Sequence, residues 1–409
     1  MIKFQAFVFS ELPTRIIWAV IFLTTMGLLA LYSISQHHSG DFLQNPFSKQ
    51  VLFLFPGLVI AFFILFIERY SIHKYSYLMY GVGIVIVALP FLGAKTVGTY
   101  RWLDIGLPFA LQPSEFAKVF TTVALARYLS DHNLDMKYFT SIILPFALVL
   151  IPTAIVLNQP DLGTAIIIMS PVLPMLYWAG ARPFYLFLVM APLFSMLTAF
   201  HNIAFTTWAI ILGVVIFLTR PGRVLSLILF FGNIFLGLLS PVLWNSLKPY
   251  QQNRVLTLIY PEKDPLGSAY QLIQSKTAIG SGGILGKGWG EGTQTHLKFL
   301  PVQESDFILS VIGEEMGFIA ILGILLMVGM MISQIIKRSY HSKDRFSSLV
   351  LIGIATILLS HVFVNTAMTV GLIPVKGLPF PFISAGGSFL MTSFLMIGLV
   401  LKLSVNYSD

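Results

Sequence analysis

Long apolar runs recur along the whole chain, and this pattern limits the fold more than any other feature of the sequence. A helix needs about 20 apolar residues to cross the ~30 Å hydrocarbon core of a bilayer. Runs of about this length, bounded by charges or by Pro and Gly, predict about twelve transmembrane helices. They lie near 16–35, 50–67, 76–94, 114–130, 139–157, 163–179, 183–199, 204–219, 223–244, 306–333, 347–367 and 384–402.

The composition agrees with a membrane protein and excludes several other classes. Of the 409 residues, 56% are hydrophobic and only 10% are charged, whereas soluble domains carry about 25% charged residues. Cysteine is absent, so neither a disulfide nor a thiolate metal site is expected. The net charge of +8 is attributed to membrane sidedness rather than to nucleic acid. The expected fold class is an all-α polytopic membrane protein with no nucleic-acid partner.

Lysine and arginine are distributed unevenly between the two sides of these spans. With the N-terminus inside, the inner side holds Lys3, Arg15, Arg69, Lys74, Arg127, Lys137, Arg182, Arg220, Arg223, Lys337, Arg338, Lys343, Arg345 and Lys402. The short outer loops hold only Lys49, Lys95, Arg101 and Lys376. The positive-inside rule therefore predicts two cytoplasmic termini and a large extracytoplasmic loop over 245–305. The whole of 1–409 is interpreted as one membrane domain, whose first span remains as an anchor.

The first polar cluster is TYRWLDIGLPFALQPSEFAK, residues 99–118. Arg101 and Trp102 precede a predicted helix that starts near Gln112. Glu115 and Lys118, three residues apart, share one face of that helix. They either form a salt bridge that lets both charges enter the bilayer or line a polar cavity where Lys118 faces an anionic group, and the two interpretations are compatible.

Two further polar segments interrupt the spans. NQPDLGT, residues 158–164, places Asp161 just before a helix, where it is either a plain cap or part of a site. GLIPVKGLPFPFISAGGS, residues 371–388, contains three prolines and four glycines. Such backbone at membrane depth is tolerated only where it is buried in protein or lines a water-filled cavity.

The loop 245–305 carries side chains suited to sugars and phosphates. Glutamine amides suit sugar hydroxyls, and basic side chains suit phosphate. The candidates are Arg254, Gln271, Lys276 and Lys287. Seven of the thirteen residues in 280–292 are glycine, which fits tight turns or backbone that approaches a bulky ligand. A merely solvated loop is the alternative.

The segment FLPVQESDFILSVIGEEMGF, residues 299–318, places acids at the start of a span. Asp306 lies at the membrane interface, either as a helix N-terminal acid or as an ionised base that faces an aqueous substrate. Glu314 lies about 12 Å deeper, at 1.5 Å per residue. An ionised acid at mid-membrane costs about 2.5–3.5 kcal/mol, so Glu314 and Glu315 are expected either to be paired or to approach the inner half of the membrane.

Taken in order, these segments resemble the SEDS family (shape, elongation, division and sporulation), the RodA and FtsW polymerases of bacterial cell-wall peptidoglycan. The matching stretches are RWLDIG…QPSEFAK, NQPDLGT, YQQNR, DPLGSAYQLIQSKTAIGSGGILGKGWGEGTQTHLKFLP, SDFILSVIGEEMGF and GLIPVKGLPFPFISAGGS. The resemblance implies a glycosyltransferase that polymerises lipid II on the outer face of the bacterial cytoplasmic membrane during elongation or division, with short tails that favour the elongation branch. It also implies a class B penicillin-binding protein as partner.

The resemblance carries residue roles as well. Asp306 matches the acid implicated in catalysis, and Trp102, Glu115 and Lys118 match other positions implicated in activity. The whole set of candidate substrate-binding residues is Arg101, Trp102, Gln112, Glu115, Lys118, Asp161, Arg254, Gln271, Lys276 and Lys287. If the family's chemistry holds, Asp306 is the base for the acceptor hydroxyl, and candidates to stabilise the pyrophosphate leaving group are Arg101, Lys118, Arg254 and Lys276, with a divalent cation, Mg or Mn, left open.

Two departures from the family pattern bear on this expectation. The family usually reads Pro-Glu-x-His-Thr-Asp where this chain reads PVQESD over 301–306, so Glu304 either shares or perturbs the role of Asp306. Family members commonly have ten spans, and the additional pair is assigned to 183–219. The rival functions are a transporter that flips lipid II without a base and a scaffold that recruits a synthase.

Overall fold

The computed structural model describes residues 12–36, 45–93, 100–103, 110–131 and 140–405, apart from positions 261, 263, 266, 268 and 298. Within those ranges the secondary structure is helical apart from isolated bridge residues, such as the antiparallel bridge between Leu103 and Leu111. The predicted all-α class is therefore confirmed.

Sixteen α-helices fill the described residues, and a short 3₁₀ turn, Leu89–Leu92, extends the third of them. In chain order they are α1 (Thr14–Ser35), α2 (Pro46–Phe66), α3 (Arg69–Ala88), α4 (Pro113–Asp131), α5 (Thr140–Asn158), α6 (Leu162–Met169), α7 (Val172–Trp178), α8 (Pro183–Thr198), α9 (Asn202–Thr219), α10 (Arg223–Ser246), α11 (Pro249–Ile259), α12 (Tyr270–Gly282), α13 (Thr293–His296), α14 (Ile308–His341), α15 (Arg345–Thr369) and α16 (Gly387–Leu403).

Eight helices in the described part of the chain are long and apolar enough to cross a membrane. They are α1, α2, α3 with its extension, α5, α9, α10, α14 and α15. Three shorter apolar segments are α6 with α7, α8, and α16. Helix α4 is 19 residues long but carries the charged residues Glu115, Lys118, Arg127 and Asp131. The chain is thus a multi-pass membrane protein.

Helix α15 lies at the centre of the bundle. Its most apolar stretch is 67% buried, whereas that of α9 is only 11% buried. Around α15 pack α4, α7, α14 and α16, while α2 lies along α16, α3 lies along α4, and α1 lies along α14. Polar side chains of α4, α14 and α15 are consequently enclosed by protein rather than by lipid.

At one end of the bundle the C-terminal ends of α1, α5 and α15 meet the N-terminal ends of α2, α4, α6, α14 and α16; we call this the site end. Hydrogen bonds tie these ends together, from Ser33 to Glu315, from Gln112 to Asp161 and from Asn365 to the carbonyl of Asp306. The charge count predicts that the site end faces outward.

Helix α14 is broken close to the site end, and the segment 282–290 fills the break. Gly317 has φ 76° and ψ −176°, which no residue inside an α-helix adopts. The amides of Phe318 and Ile319 donate to the carbonyls of Gly283 and Ile284, at 3.0 and 3.2 Å. In the other direction, the amides of 287 and 288 donate to the carbonyls of 314 and 315. The backbone groups freed by the break are therefore satisfied by the loop, as buried polar groups must be.

The high glycine content of 280–292 is explained by this contact. A Cβ on Gly286 would lie 2.2 Å from the carbonyl oxygen of Glu315, and one on Gly282 would lie 1.9 Å from that of Gly313. Both distances are far below van der Waals contact. Positive φ angles at Gly283, Gly286, Gly288 and Gly290 agree with the predicted tight turns. At Gly282 and Gly286 the close partner is α14, and the approach of this backbone to a bulky ligand stays a prediction.

Helices α8, α9 and α10 form a group at the edge of the bundle. They pack against one another, and α8 also meets α7. A polar contact holds the group together: Trp208 Nε1 donates to Ser195 Oγ at 2.8 Å, and Ser195 Oγ donates to Asn233 Oδ1 at 3.0 Å. The predicted additional pair near 183–219 corresponds to α8 and α9.

Candidate functional site

Asp306 lies in the turn just before α14, and its backbone is held on several sides. The carbonyl of Glu304 accepts from Ala385 N at 2.8 Å, and that of Ser305 accepts from Ser384 Oγ at 2.5 Å. The carbonyl of Asp306 accepts from Asn365 Nδ2 at 2.9 Å. Three consecutive carbonyls are thus fixed by the segment 371–386 and by α15, which sets the position of the carboxylate.

The Asp306 carboxyl group is poised to accept a proton near neutral pH. It is partly buried, its Oδ1 accepts from Ser305 Oγ at 3.2 Å, and its Oδ2 lies beside Gly377. Burial raises the pKa of Asp306 to about 6; the Ser305 hydroxyl opposes this shift, and the charge of Glu304 adds to it. A general base works best with a pKa near the working pH. Whether Glu304 shares or perturbs a catalytic role of Asp306 stays a prediction.

A buried ion pair joins α4 to α15. Lys118 Nζ lies 2.5 Å from Glu115 Oε2 and 2.9 Å from His361 Nε2. Lys118 has no exposed surface, and Glu115 is 2% exposed. Lys118 also lies over the ring of Phe389, 4.8 Å from its centroid. The predicted salt bridge is present, and the ammonium group has no direct access to a substrate in this structure.

Asp161 organises a second polar group at the site end. It caps α6 by accepting from Thr164 N and Thr164 Oγ1, at 3.1 and 2.9 Å. Its Oδ2 also accepts from Gln112 Nε2 at 3.2 Å and lies 3.9 Å from Arg101 Nε. The guanidinium of Arg101 donates to the carbonyls of Gln159 and Pro160. The predicted capping role of Asp161 is confirmed, and the same carboxylate holds Gln112 and Arg101 in place.

The remaining predicted residues differ in their surroundings. Trp102 is exposed next to Arg101. Lys276 is exposed and lies beside Gly371, because a Cβ on that glycine would be 2.8 Å from Lys276 Nζ. Gln271 is partly buried in the first turn of α12. The side chain of Arg254 lies outside the described residues.

Lys287 belongs to a structural contact rather than to an open cationic surface. Its Nζ lies 2.7 Å from Glu314 Oε1. Glu314, with no exposed surface, also accepts from the amides of Gln294 and Thr295, at 3.0 and 3.2 Å. Of the two alternatives predicted for Glu314, pairing is the one that occurs, because the loop runs along the start of α14 and brings donors to its depth. Lys287 Nζ also donates to Thr293 Oγ1 at 2.8 Å, and the binding of phosphate by Lys287 stays a prediction.

Glu315 is also paired at the site end. Ser33 Oγ donates to its Oε1 at 2.7 Å, the amide of Gly290 donates to its Oε2 at 3.3 Å, and His296 Nε2 lies 3.5 Å from Oε1. Trp289 stacks on Tyr32 of α1, with ring centroids 5.7 Å apart. These contacts fix the loop tip to α1, and neither acid approaches the opposite half of the bundle.

Sequence reasoning missed His361 and Asn365, which lie one turn apart on α15. Asn365 Nδ2 donates to the carbonyls of Asp306 and Leu378, at 2.9 and 2.7 Å, and His361 Nδ1 lies 3.2 Å from the carbonyl of Pro379. A signal was available, since two polar residues four positions apart within an apolar span usually face the protein interior. Their partners were not predictable, because they lie on other elements.

The arrangement suits chemistry at the site end with one base and few accessible cations. Asp306 is the carboxyl group with a raised pKa, and Arg101 and Lys276 are cationic side chains with exposed surface. Among the described residues no group of three or more His, Cys, Asp or Glu is placed to hold a metal ion. Proton removal from a substrate group and stabilisation of a leaving anion are the steps that these side chains support.

A model of a protein family described as cell cycle protein, FtsW/RodA/SpoVE, matches residues 14–209 and 194–409. The chain belongs to this FtsW/RodA/SpoVE family. The two matches overlap over 194–209, at α8 and α9, where the additional pair of helices was predicted.

Named relatives in the family share about a third of the sequence. The chain is 33% identical over 321 residues to the peptidoglycan glycosyltransferase MrdB of Escherichia coli (strain K12), covering 78% of this chain and 75% of that protein. It is 30% identical to the peptidoglycan glycosyltransferase RodA of Treponema pallidum (strain Nichols), covering 97% of this chain and 98% of that protein. The predicted family is confirmed.

Two solved structures share the fold of this chain. A chain from the work described as "Structural coordination of polymerization and crosslinking by a peptidoglycan synthase complex" superposes with a TM-score of 0.71 at 25% identity, covering 98% of both chains. The crystal structure of the rod shape determining protein RodA of Thermus thermophilus superposes with a TM-score of 0.63 at 23% identity, covering 97% of both chains. The second likeness concerns the fold alone.

Proposed function

We propose that this chain is a peptidoglycan glycosyltransferase that polymerises lipid II into β-1,4 glycan strands for cell-wall elongation, with Asp306 as its general base. Family membership and relatives named peptidoglycan glycosyltransferase, MrdB and RodA among them, support the activity. The observation that carries the assignment of the base is the Asp306 carboxyl group, fixed at the site end with its pKa raised to about 6.

In the proposed reaction Asp306 takes the proton of the acceptor's GlcNAc 4-hydroxyl. The hydroxyl oxygen then forms a bond to C1 of the donor sugar, and the C1–O bond to the α-linked pyrophosphate breaks, with its electron pair leaving on the phosphate oxygen. A single displacement inverts the configuration and gives a β-1,4 bond. Arg101 and Lys276, two cations with exposed surface, are proposed to stabilise the leaving pyrophosphate.

A divalent cation, Mg²⁺ or Mn²⁺, is part of the proposal. Phosphate oxygens are ligands that such ions prefer, so the substrate's own pyrophosphate would hold the ion. The ion would add positive charge where negative charge develops on the leaving group.

The membrane arrangement completes the proposal. Both termini are cytoplasmic, about twelve helices cross the bilayer, and the loop 245–305 with the site end faces outward, as the lysine and arginine distribution supports. Lipid anchors of donor and acceptor would hold the reacting sugars at this interface. A class B penicillin-binding protein is the proposed partner, which the likeness to a chain of a peptidoglycan synthase complex supports.

The test is glycan polymerisation by purified Asp306→Asn with its partner and labelled lipid II. Asn keeps the shape of the side chain but has almost no basicity, so the rate should fall by about 10²–10⁴. Glu291→Gln, which neutralises an exposed carboxylate in the loop, is the matched control and should polymerise normally. Melting temperature reports folding. Near-normal polymerisation by folded Asp306→Asn would exclude Asp306 as the base. Lipid II flipping without polymer formation by the wild-type chain and its partner would favour the transporter instead.

A further inference from the structure

His361 is a buried polar residue between two parts of the site. It is 1% exposed and sits on α15, facing α4 on one side and the segment 371–386 on the other. Its ring also packs on Phe389 of α16, with centroids 4.8 Å apart. The proposed transfer reaction assigns it no step, and sequence analysis did not single it out.

The two partners of His361 determine its protonation. The Pro379 carbonyl, 3.2 Å from Nδ1, can only accept a hydrogen bond, so Nδ1 carries the proton. The Lys118 ammonium group, 2.9 Å from Nε2, can only donate, so Nε2 is the acceptor. The imidazole is therefore neutral, with each nitrogen matched to the partner it faces.

Two side chains of α15 bind backbone carbonyls of residues that are adjacent in the chain, 378 and 379. His361 binds the carbonyl of Pro379 through a hydrogen bond. Asn365, one turn further along α15, donates hydrogen bonds to the carbonyls of Leu378 and Asp306. Gly377, the preceding residue, lies beside Asp306 Oδ2. A shift of 378–379 would therefore move the backbone that covers the Asp306 carboxylate.

We propose that His361 is a positioning residue for glycosyl transfer, which couples the buried Glu115–Lys118 pair to the segment 377–379 and thereby fixes the surroundings of Asp306. The inference rests on the glycosyltransferase activity proposed above. It gives Lys118 an indirect role that agrees with its complete burial: the ammonium group orients His361, and His361 orients the segment against Asp306.

The coupling explains why a charged residue is buried here at all. An ion pair buried without further hydrogen bonds is often no more stable than an apolar pair of similar size. The third contact, from Lys118 to His361, adds a geometric constraint between α4 and α15. An apolar side chain at 361 would fill the space but would leave one Lys118 donor and the Pro379 carbonyl without their partners.

Two substitutions of similar size and opposite chemistry test this role. His361→Gln retains an amide oxygen that can accept from Lys118 and an amide nitrogen that can donate to Pro379. His361→Met has a similar length but makes neither bond. The matched control is Thr356→Val on the same helix, whose hydroxyl bonds only to the carbonyl of Ile352 in its own helix. Each variant is purified with the partner protein, and initial polymerisation rates are measured against lipid II concentration and pH.

We expect kcat of His361→Met to fall about 10- to 100-fold, the range that misplacement of a reacting group produces. KM should change less than about twofold, because the substitution does not touch the exposed cations. Release of the segment 377–379 should admit water to Asp306. Because burial raises the pKa of Asp306, hydration should lower it, while the charged neighbour Glu304 stays in place. The acidic midpoint of the pH–rate profile should therefore move to lower pH. His361→Gln should retain most of the activity and the original midpoint, and Thr356→Val should match the wild type. A loss of stability alone would lower activity equally at every pH.

Folded His361→Met with wild-type kcat and pH midpoint would overturn the inference, as would equal losses in His361→Gln and His361→Met. If His361→Met does not yield folded protein, His361→Asn replaces it, because its shorter amide cannot span both partners. A wild-type protein without polymerase activity would instead contradict the proposed function, so the two failures are distinguishable.

Discussion

At the scale of single residues, opposing influences on one carboxyl group set its chemistry. Burial and the charge of Glu304 disfavour ionised Asp306, whereas the Ser305 hydroxyl favours it. The resulting pKa of about 6 keeps Asp306 ionised at neutral pH yet still able to accept a proton. Because a base must be deprotonated to act, the rate at limiting substrate should fall about tenfold per pH unit below that pKa.

The pH dependence can be shifted in both directions by residues next to Asp306. Glu304→Gln removes a negative charge that raises the pKa of Asp306, so the acidic midpoint should move to lower pH. Ser305→Ala removes a hydrogen bond that lowers this pKa, so the midpoint should move to higher pH. Initial polymerisation rates from about pH 4.5 to 8 measure both shifts. Shifts in the reverse directions would mean that another group controls the profile.

The Glu115–Lys118 pair should behave as a unit in stability measurements. Removing one partner leaves the other charge buried without compensation, which typically costs about 3–5 kcal/mol. We therefore expect Lys118→Met and Glu115→Gln each to be strongly destabilised, and the double variant to lose clearly less than the sum of the two. Denaturation midpoints in detergent complete the cycle. Additive losses would indicate that the two side chains act separately.

At the scale of elements, a helix and a loop act as one structural unit. The break in α14 frees backbone groups that 283–288 satisfies, and Glu314 and Glu315 hold the rest of the loop through 290–296. The loop that pairs with the break therefore lies along the same helix that carries Asp306 at its start. Disturbing the break should affect the loop before it affects the remainder of the bundle.

Gly317→Ala tests this unit. Its φ of 76° is strained for any residue with a Cβ, and that Cβ would lie 2.3 Å from the amide nitrogen of Gly286. The strain alone costs about 1–3 kcal/mol, and the clash should release 282–290 and make it sensitive to protease. Gly323→Ala, on the same helix with open space around it, is the control and should be neutral or slightly stabilising. Equal protease resistance in the two variants would contradict the coupling.

The sequence predicted elements better than it predicted contacts. Apolar runs placed the helices. For Asp161 capping was one of two predicted roles, and for Glu314 pairing was one of two predicted outcomes; both occur. By contrast, the Lys118–His361 contact joins residues 243 positions apart. Periodicity within one helix reveals which face is polar, but it does not identify which distant element meets that face.

At the scale of the whole molecule, the bundle consists of a buried centre and an appended edge. The polar residues of the site lie on α4, α6, α12, α14, α15 and the segments next to them, whereas α9 and α10 bury only 11% and 17% of their most apolar stretches. Their internal polar contact, from Trp208 through Ser195 to Asn233, holds the edge group together without reaching the site. If α8 and α9 are an additional pair, as predicted, they can therefore leave the chemistry of the centre unchanged.

The predicted additional pair of helices has a definite consequence for the topology. If α8 and α9 both cross the membrane, a reporter at His201, between them, should be outside, and one at Gly222, after α9, should be inside. Reporters at Glu291 and Lys343 serve as references and should read outside and inside. An even number of added spans does not change the sidedness of the later helices, so the references keep the same result whether or not the pair crosses. The contrary result is that the reporters at His201 and Gly222 lie on the same side while both references read as expected. That result would show that α8 and α9 lie at the inner face and do not span the bilayer.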